Sequence, residues 1–339
     1  MRFGLIGYGA WGKHHAAAIA QAEETELVAI SCKSEESRRQ AQADHPGVEV
    51  TLDYRQLLRR EDIEAVDIVV PTFIHAQVGI EALDEGKHVL LEKPMAATAA
   101  ECDRLLEAAR RNGRVLTIGH EFRVSKQWGR IKELVRGGQV GVPQYAMVSL
   151  FRHPYRKGAE DWRYDRSRVG SWILEEPIHF FDFILWFFEE LGDPLSIQAY
   201  GNSKERGEGL YDNFSSVLKY PGGSYAVITQ TLGGFEHHLF VEIVGTEGAI
   251  RSVWSGAVDR TAEPRFSLKL QRKAAQTCEQ VPVEVSGELF ELQEEIRKAA
   301  VLFAEGKAFY PPEEGRKVVI ICLEAERSLR ENREISLRF

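Results

Sequence analysis

The stretch RFGLIGYGAWGKHHAAAIAQAEETELVAIS, residues 2–31, decides how the chain begins to fold. It opens on a short apolar run (2–7), crosses three glycines, enters an alanine-rich segment and ends on a second apolar run, 26–31. Strand, turn, helix and strand in that order make a βαβ unit, and runs apolar on both faces suit a parallel sheet covered by helices. The glycines stand at Gly7, Gly9 and Gly12, a G-x-G-x-x-G pattern with Tyr8, Ala10 and Trp11 between them. Gly7 allows the tight turn, Gly9 lets a phosphate approach the backbone, and Gly12 lets the helix pack close to the strand. The helix N-terminus then faces an anion. The loop therefore predicts dinucleotide binding, against the plainer alternative of a glycine-rich turn without a ligand.

Outward from this unit the alternation continues. Strands are predicted at 65–70, 87–92 and 114–119, and helices at about 11–23, 34–44, 73–85 and 98–112, with Gly86 and Gly113 at helix ends. Past residue 140 the pattern changes. Segments 145–152, 195–201, 213–220, 224–232, 238–245 and 265–272 read as longer strands, some joined by hairpin turns such as Pro221-Gly222-Gly223. Helices are predicted at about 125–136, 176–190, 288–305 and 313–330. The reading is an α/β protein: a doubly wound parallel-sheet domain over 1–122, then an α+β domain over 123–339 with a large, open, mostly antiparallel sheet.

Composition narrows the function. The chain has 339 residues, 44% hydrophobic and 28% charged, the profile of a globular protein. A formal net charge of −8 argues against a nucleic-acid partner. Cys32, Cys102, Cys278 and Cys322 are scattered, with no Cys-x-x-Cys pair, so neither a disulfide framework nor a metal site is expected. Met1 leads straight into the first strand, which leaves no room for a signal peptide, and a cytoplasmic location is expected. The longest apolar run, SWILEEPIHFFDFILWFFEE (171–190), is broken by Glu175, Glu176, His179 and Asp182, so no membrane partner is expected.

Cofactor choice is read at the end of the second strand. An NAD site usually carries an acid there, about 20 residues after the loop. Here stand Ser31, Cys32 and Lys33. Lys33, helped by Arg38 or Arg39, would pair with a 2′-phosphate, which favours NADP over NAD.

KHVLLEKPMA (87–96), preceded by VVPTFIHAQVGIEALDEG (69–86), resembles the glucose–fructose oxidoreductase / inositol dehydrogenase / rhizopine catabolism (Gfo/Idh/MocA) family. The resemblance covers nearly the whole chain, including the glycine loop, the segment around His179 and Val244-Gly245-Thr246-Glu247-Gly248. It implies an N-terminal Rossmann domain, a nicotinamide cofactor, sugar or polyol substrates, and a homo-oligomer, dimer or tetramer, formed through the open sheet. It implies that Pro71, Thr72, His75 and Glu92 line the cofactor. Lys93 matches the lysine that contacts the substrate hydroxyl and the nicotinamide ribose, and His179 the general acid/base. The residue four before the histidine is commonly aspartate and is Glu175 here.

The residues themselves are compatible with that chemistry. Oxidising an alcohol needs a base for the hydroxyl proton as hydride leaves carbon, and histidine can serve near neutral pH. An ammonium such as Lys93 favours a developing alkoxide. In a helix that begins near Pro177, Glu175 and His179 lie one turn apart, while Asp182 either orients the ring or pairs with an arginine. His75 either lines the cofactor or caps a helix. Glu121 and Arg123 either pair or reach a ligand. Arg152, Trp162 and Arg163 mix aromatic and forked donors as sugar recognition does, or anchor a loop. Together these features predict an NAD(P)-dependent dehydrogenase or reductase acting on the CH–OH group of a sugar, cyclitol or related polyol. The alternatives are an NAD-dependent glycosidase that oxidises its substrate transiently, and a non-catalytic cofactor-binding sensor.

Overall fold

A computed structural model describes residues 1–203 and 209–339. The chain divides into two compact units. The first comprises Met1–Glu121, Lys157–Val169 and Leu292–Val319; the second comprises Phe122–Arg156, Gly170–Glu291 and Ile320–Phe339.

The first unit is built on β1 (Arg2–Ile6), α1 (Gly12–Gln21), β2 (Glu26–Ser31), α2 (Glu35–Asp44), β3 (Glu49–Thr51), α3 (Tyr54–Leu58), β4 (Ala65–Ile68), α4 (His75–Asp84), β5 (His88–Glu92), α5 (Ala99–Asn112) and β6 (Leu116–Gly119). The strands form one parallel sheet in the order β3-β2-β1-β4-β5-β6. Strand order reverses between β1 and β4, which leaves a crevice at their carboxyl ends. Local chemistry sets the helix limits. Thr98 caps α5 by accepting from the Glu101 N–H at 3.2 Å, and Gly113, at φ 60°, ends it. Phe3, Leu5 and Ile30 of the sheet pack with Ile19 and Ala16 of α1 and with Ile296 and Phe303 further along the chain.

The second unit holds α6 (Lys126–Arg136), β7 (Pro143–Phe151), α8 (Pro177–Phe187), β8 (Ser196–Asn202), β9 (Asn213–Lys219), β10 (Tyr225–Thr231), β11 (His237–Gly245), β12 (Gly248–Gly256), β13 (Arg265–Arg272), β14 (Glu279–Val281) and β15 (Ile335–Ser336). Between β7 and α8 the short α7 (Arg166–Val169) belongs to the first unit. Helices α9 (Glu288–Ala304) and α10 (Pro312–Glu331) each run across the division.

The nine strands pair in the order β14-β13-β12-β11-β7-β10-β9-β8-β15, antiparallel throughout except for β7 beside β10. Pro221–Gly223 turns β9 into β10, with Gly222 and Gly223 at φ 74° and 88°, as predicted for that hairpin. Alternation gives the sheet two faces. Ala146, Val148 and Leu150 of β7 and Ala226 and Ile228 of β10 are buried. Opposite to them, Tyr145 meets Tyr225 and Phe151 stacks on His238 on the open face.

Candidate functional site

In the first unit the predicted residues gather at the carboxyl ends of β1, β4 and β5. Gly7 has φ 107°, and a Cβ there would stand 2.1 Å from the Val69 carbonyl oxygen. A Cβ on Gly12 would stand 2.0 Å from the Gly7 carbonyl oxygen, so this glycine lets the helix start close against the turn. A Cβ on Gly9 would meet nothing within 4 Å. Two glycines thus close the loop, and the third opens a space beside the N-terminus of α1. That helix has no side-chain cap and no acid in its first turn, so its positive end meets no competing carboxylate there, although the Lys13 and His14 N–H groups already donate to the Gly9 and Trp11 carbonyls. The cradle fits a dinucleotide pyrophosphate. Tyr8, by contrast, is buried and donates its hydroxyl to Asp44 at 2.8 Å.

At the end of β2, Ser31 and Cys32 are buried, and burial pushes the Cys32 thiol up to about 11. Lys33 is exposed and pairs with Glu160 at 2.8 Å. Arg38 pairs with Glu35 on its own helix. Glu160 belongs to Lys157–Val169, the segment whose Trp162 and Arg163 are expected from sequence either to touch substrate or to anchor a loop. Glu160 and Asp161 both adopt φ 54°, uncommon for residues with a side chain. In the same segment Trp162 is buried beneath Arg163, whose guanidinium lies 4.6 Å from the ring.

After β4, Pro71 leads into a short turn of 3-10 helix, Thr72–Ile74, with Thr72 buried. Both ring nitrogens of His75 lie 2.7 Å from backbone oxygens, Nδ1 from Pro94 and Nε2 from Val70. The ring therefore ties this turn to the one after β5, where the Lys93–Pro94 peptide is cis. Glu92 is buried, and Lys93 is partly exposed. Glu121 ends this part of the unit and is buried, beside a His120 ring that stacks on Tyr310 at 4.6 Å.

In the second unit, α8 is apolar nearly all round and buried along its length. Pro177 occupies its first turn, as predicted, and Glu176 stands at the N-cap. Glu175 therefore lies just outside the helix and His179 inside its first turn. Both side chains are buried, and the His179 ring packs 4.7 Å from Phe122. One turn on, Asp182 accepts two hydrogen bonds from Arg123, at 2.6 and 2.8 Å. Arginine pairing, one of the two roles open to Asp182, is observed. Arg123 also lies 5.0 Å from the Trp186 ring.

Arg152 is buried inside a charge network. It donates to Glu176 at 2.6 Å, to Asp259 at 3.2 Å and to the His153 carbonyl at 3.2 Å. Arg156 reaches the same Asp259 at 2.7 Å. Burial would raise the Asp259 carboxyl, but the arginines around it hold it well below the usual range. The role the geometry gives Arg152 is to fix Glu176 at the start of α8.

Sequence reasoning passed over His15 and Asp67. Both are fully buried in the first unit, with His15 Nδ1 2.7 Å from Asp67 Oδ2. The signal was present: Asp67 interrupts the apolar strand AVDIVV (65–70). Among the described residues, no cluster of His, Cys, Asp or Glu is arranged to hold a metal ion, and no helix is long and apolar enough to cross a membrane.

Comparison with known proteins agrees with this architecture. The chain is 32% identical over 264 residues to the dTDP-3,4-didehydro-2,6-dideoxy-alpha-D-glucose 3-reductase of Streptomyces violaceoruber, covering 75% of this chain and 72% of that protein. It is 30% identical over 203 residues to the inositol 2-dehydrogenase of Salmonella typhimurium, covering 59% of this chain and 57% of that protein. Among solved structures, levoglucosan dehydrogenase in complex with NADH and L-sorbose has the same fold, with a TM-score of 0.82 at 21% identity over 100% of this chain and 99% of that one. Residues 1–120 match the oxidoreductase family with an NAD-binding Rossmann fold, and residues 128–251 match the GFO/IDH/MocA C-terminal domain. The chain belongs to the Gfo/Idh/MocA family of oxidoreductases.

Proposed function

We propose that the protein is an NAD(P)-dependent dehydrogenase or reductase of a sugar, cyclitol or related polyol. The observation that carries the reading is the open space at Gly9, at the strand-order reversal and beside a helix N-terminus that has no side-chain cap and no acid in its first turn. Relatives named for an inositol and for a dTDP-linked keto-sugar support the substrate class. A bound oxidised nicotinamide supplies the hydride acceptor. In this reading His179 takes the hydroxyl proton as the C–H hydrogen departs with its electron pair, leaving a carbonyl. Lys93 donates a hydrogen bond to the substrate oxygen and favours its developing negative charge. Glu175 orients the imidazole. The reverse reaction returns the proton from His179 to the carbonyl oxygen.

NADP is the preferred cofactor in this proposal. Lys33 is the cation at the end of β2, and its pair with Glu160 is solvent-exposed, the kind of pair that contributes little. A 2′-phosphate competes with Glu160 for it. The open face of the nine-stranded sheet, with Tyr145, Phe151 and Tyr225, is the surface proposed to join two copies of the chain. The test is a nicotinamide absorbance assay with both cofactors over a panel of polyols and keto-sugars. Turnover that falls steeply in His179→Ala, with dinucleotide affinity kept, supports the reading; undiminished turnover across the panel contradicts it.

A further inference from the structure

Beneath the glycine loop three ionisable groups from three elements meet out of reach of water. His15 lies on α1, one turn after Gly12; Asp67 lies in β4; Glu92 ends β5. His15 and Asp67 are fully buried and Glu92 is 6% exposed. The His15 ring stands between the carboxylates, Nδ1 2.7 Å from Asp67 Oδ2 and Nε2 3.1 Å from Glu92 Oε1. The second approach lacks hydrogen-bond alignment and is a charge contact. Trp11 of the glycine loop donates Nε1–H to the same Glu92 oxygen at 2.8 Å, and its ring sits edge-on to His15 at 5.1 Å. The other Glu92 oxygen accepts the backbone N–H of Lys93 at 3.1 Å.

We propose that His15 is a positioning residue: a buried imidazolium tie that couples the helix behind the pyrophosphate cradle to the strand end carrying Lys93. The inference rests on the reading of Lys93 as a reacting-site lysine. A neutral imidazole has one N–H and can serve only one of its two carboxylate neighbours, whereas the imidazolium carries a proton toward each. Burial alone would discharge the ring, but Asp67 and Glu92 together outweigh it and bring His15 to about 10. Burial likewise works to raise Glu92, and the contacts with His15, Lys93 and Trp11 overcome it, to about 2. Asp67 stays raised by its burial.

The consequence concerns geometry. Glu92 holds the Lys93 backbone, and Glu92 is itself held by two residues of the glycine-loop segment, Trp11 and His15. Loss of the cation leaves two buried carboxylates facing an uncharged ring, and the strand end loses its fixed anchor. The lysine amine is then no longer held where the reaction needs it, although the glycine cradle stays intact.

Imidazole ¹⁵N spectroscopy on the full chain tests the charge state without any substrate, with the His15 signals assigned by their loss in His15→Gln. Both His15 nitrogens should remain protonated at pH 8. A neutral ring at that pH overturns the proposal. His15→Gln, which keeps one N–H toward Asp67 but carries no charge, tests the positioning role. Expected are a kcat lowered at least tenfold, a dinucleotide Kd changed less than threefold, and full rescue by no neutral side chain. A purely structural His15 would lower only the melting temperature, and unchanged kcat and KM in the folded variant overturn the tie. If His15→Gln fails to fold, Asp67→Asn gives the same split between kcat and Kd. A wild-type protein that turns over no substrate counts against the oxidoreductase reading, and the nitrogen spectra still decide the tie.

Discussion

Replacing the glycines of the loop one at a time separates folding from binding. Gly12→Ala places a methyl carbon 2.0 Å from the Gly7 carbonyl oxygen, an atom of the backbone that cannot rotate away. Relief requires the turn and helix start to separate by more than about 1 Å, given an ordinary carbon–oxygen contact of about 3.3–3.6 Å. Overpacking of this kind costs about 1–3 kcal/mol. Gly9→Ala meets nothing within 4 Å in the protein itself. Its stability should stay within about 0.5 kcal/mol of the parent. The new methyl stands instead in the space proposed for the pyrophosphate, and dinucleotide affinity should fall at least tenfold, about 1.4 kcal/mol. Urea unfolding gives the first quantity, and fluorescence titration with NADPH and NADH the second. A Gly9→Ala variant that binds both cofactors like the parent would refute the cradle. A Gly12→Ala variant of full stability would refute the steric argument.

The other predictions concern charge. Arg152→Leu leaves Glu176 and Asp259 buried without their shared cation, and unfolding free energy should fall by about 3–5 kcal/mol; a loss below about 1 kcal/mol in urea denaturation contradicts the network. Glu160→Gln removes the acid facing Lys33, so the ratio of NADP to NAD affinity should rise, while Lys33→Ala should lower it; equal ratios in all three proteins would show that neither residue reads the ribose. His15 has its folded pKa raised above the unfolded value of about 6.5. Its stabilisation is therefore complete below about pH 6.5 and lost as pH rises through about 10. The parent should lose more stability than His15→Gln between those limits, and parallel pH profiles would contradict that.

Much of the fold was legible because burial imposes its period on the sequence. Four of the first unit's helices begin within two residues of the predicted positions, and β2 spans the predicted 26–31 as Glu26–Ser31. The edge strand β3 was missed, since its three residues, Glu49–Thr51, are too few to show a period. Helix α3 was missed for the same reason, at five residues. In the second unit β12, Gly248–Gly256, was not separated from its surroundings, because Arg251, Ser252 and Ser255 dilute its apolar alternation. Helix α8 is apolar nearly all round, apart from His179 and Asp182, and so shows no amphipathic stripe; Pro177 and the Glu175–His179 spacing locate it instead.

The candidate site is legible in sequence where its residues are neighbours along the chain. The glycine loop, the end of β5 and the start of α8 each occupy one short stretch. What sequence spacing hid was long-range pairing: Lys33 with Glu160, Arg152 with Asp259, and His15 with Asp67 and Glu92. An acid within an apolar strand marks such a pairing without naming its partner.

The central claim is that this chain transfers hydride between a nicotinamide and a polyol or keto-sugar carbon. The most direct measurement follows nicotinamide absorbance at saturating cofactor while the same reaction is analysed for substrate consumed. The account predicts equal moles of cofactor converted and hydroxyl oxidised, with both rates reduced together at least a hundredfold in His179→Ala. Substrate consumed with no net absorbance change would point to transient oxidation in a glycosidase, and cofactor binding with no consumption of any substrate would point to a sensor; either result contradicts the account.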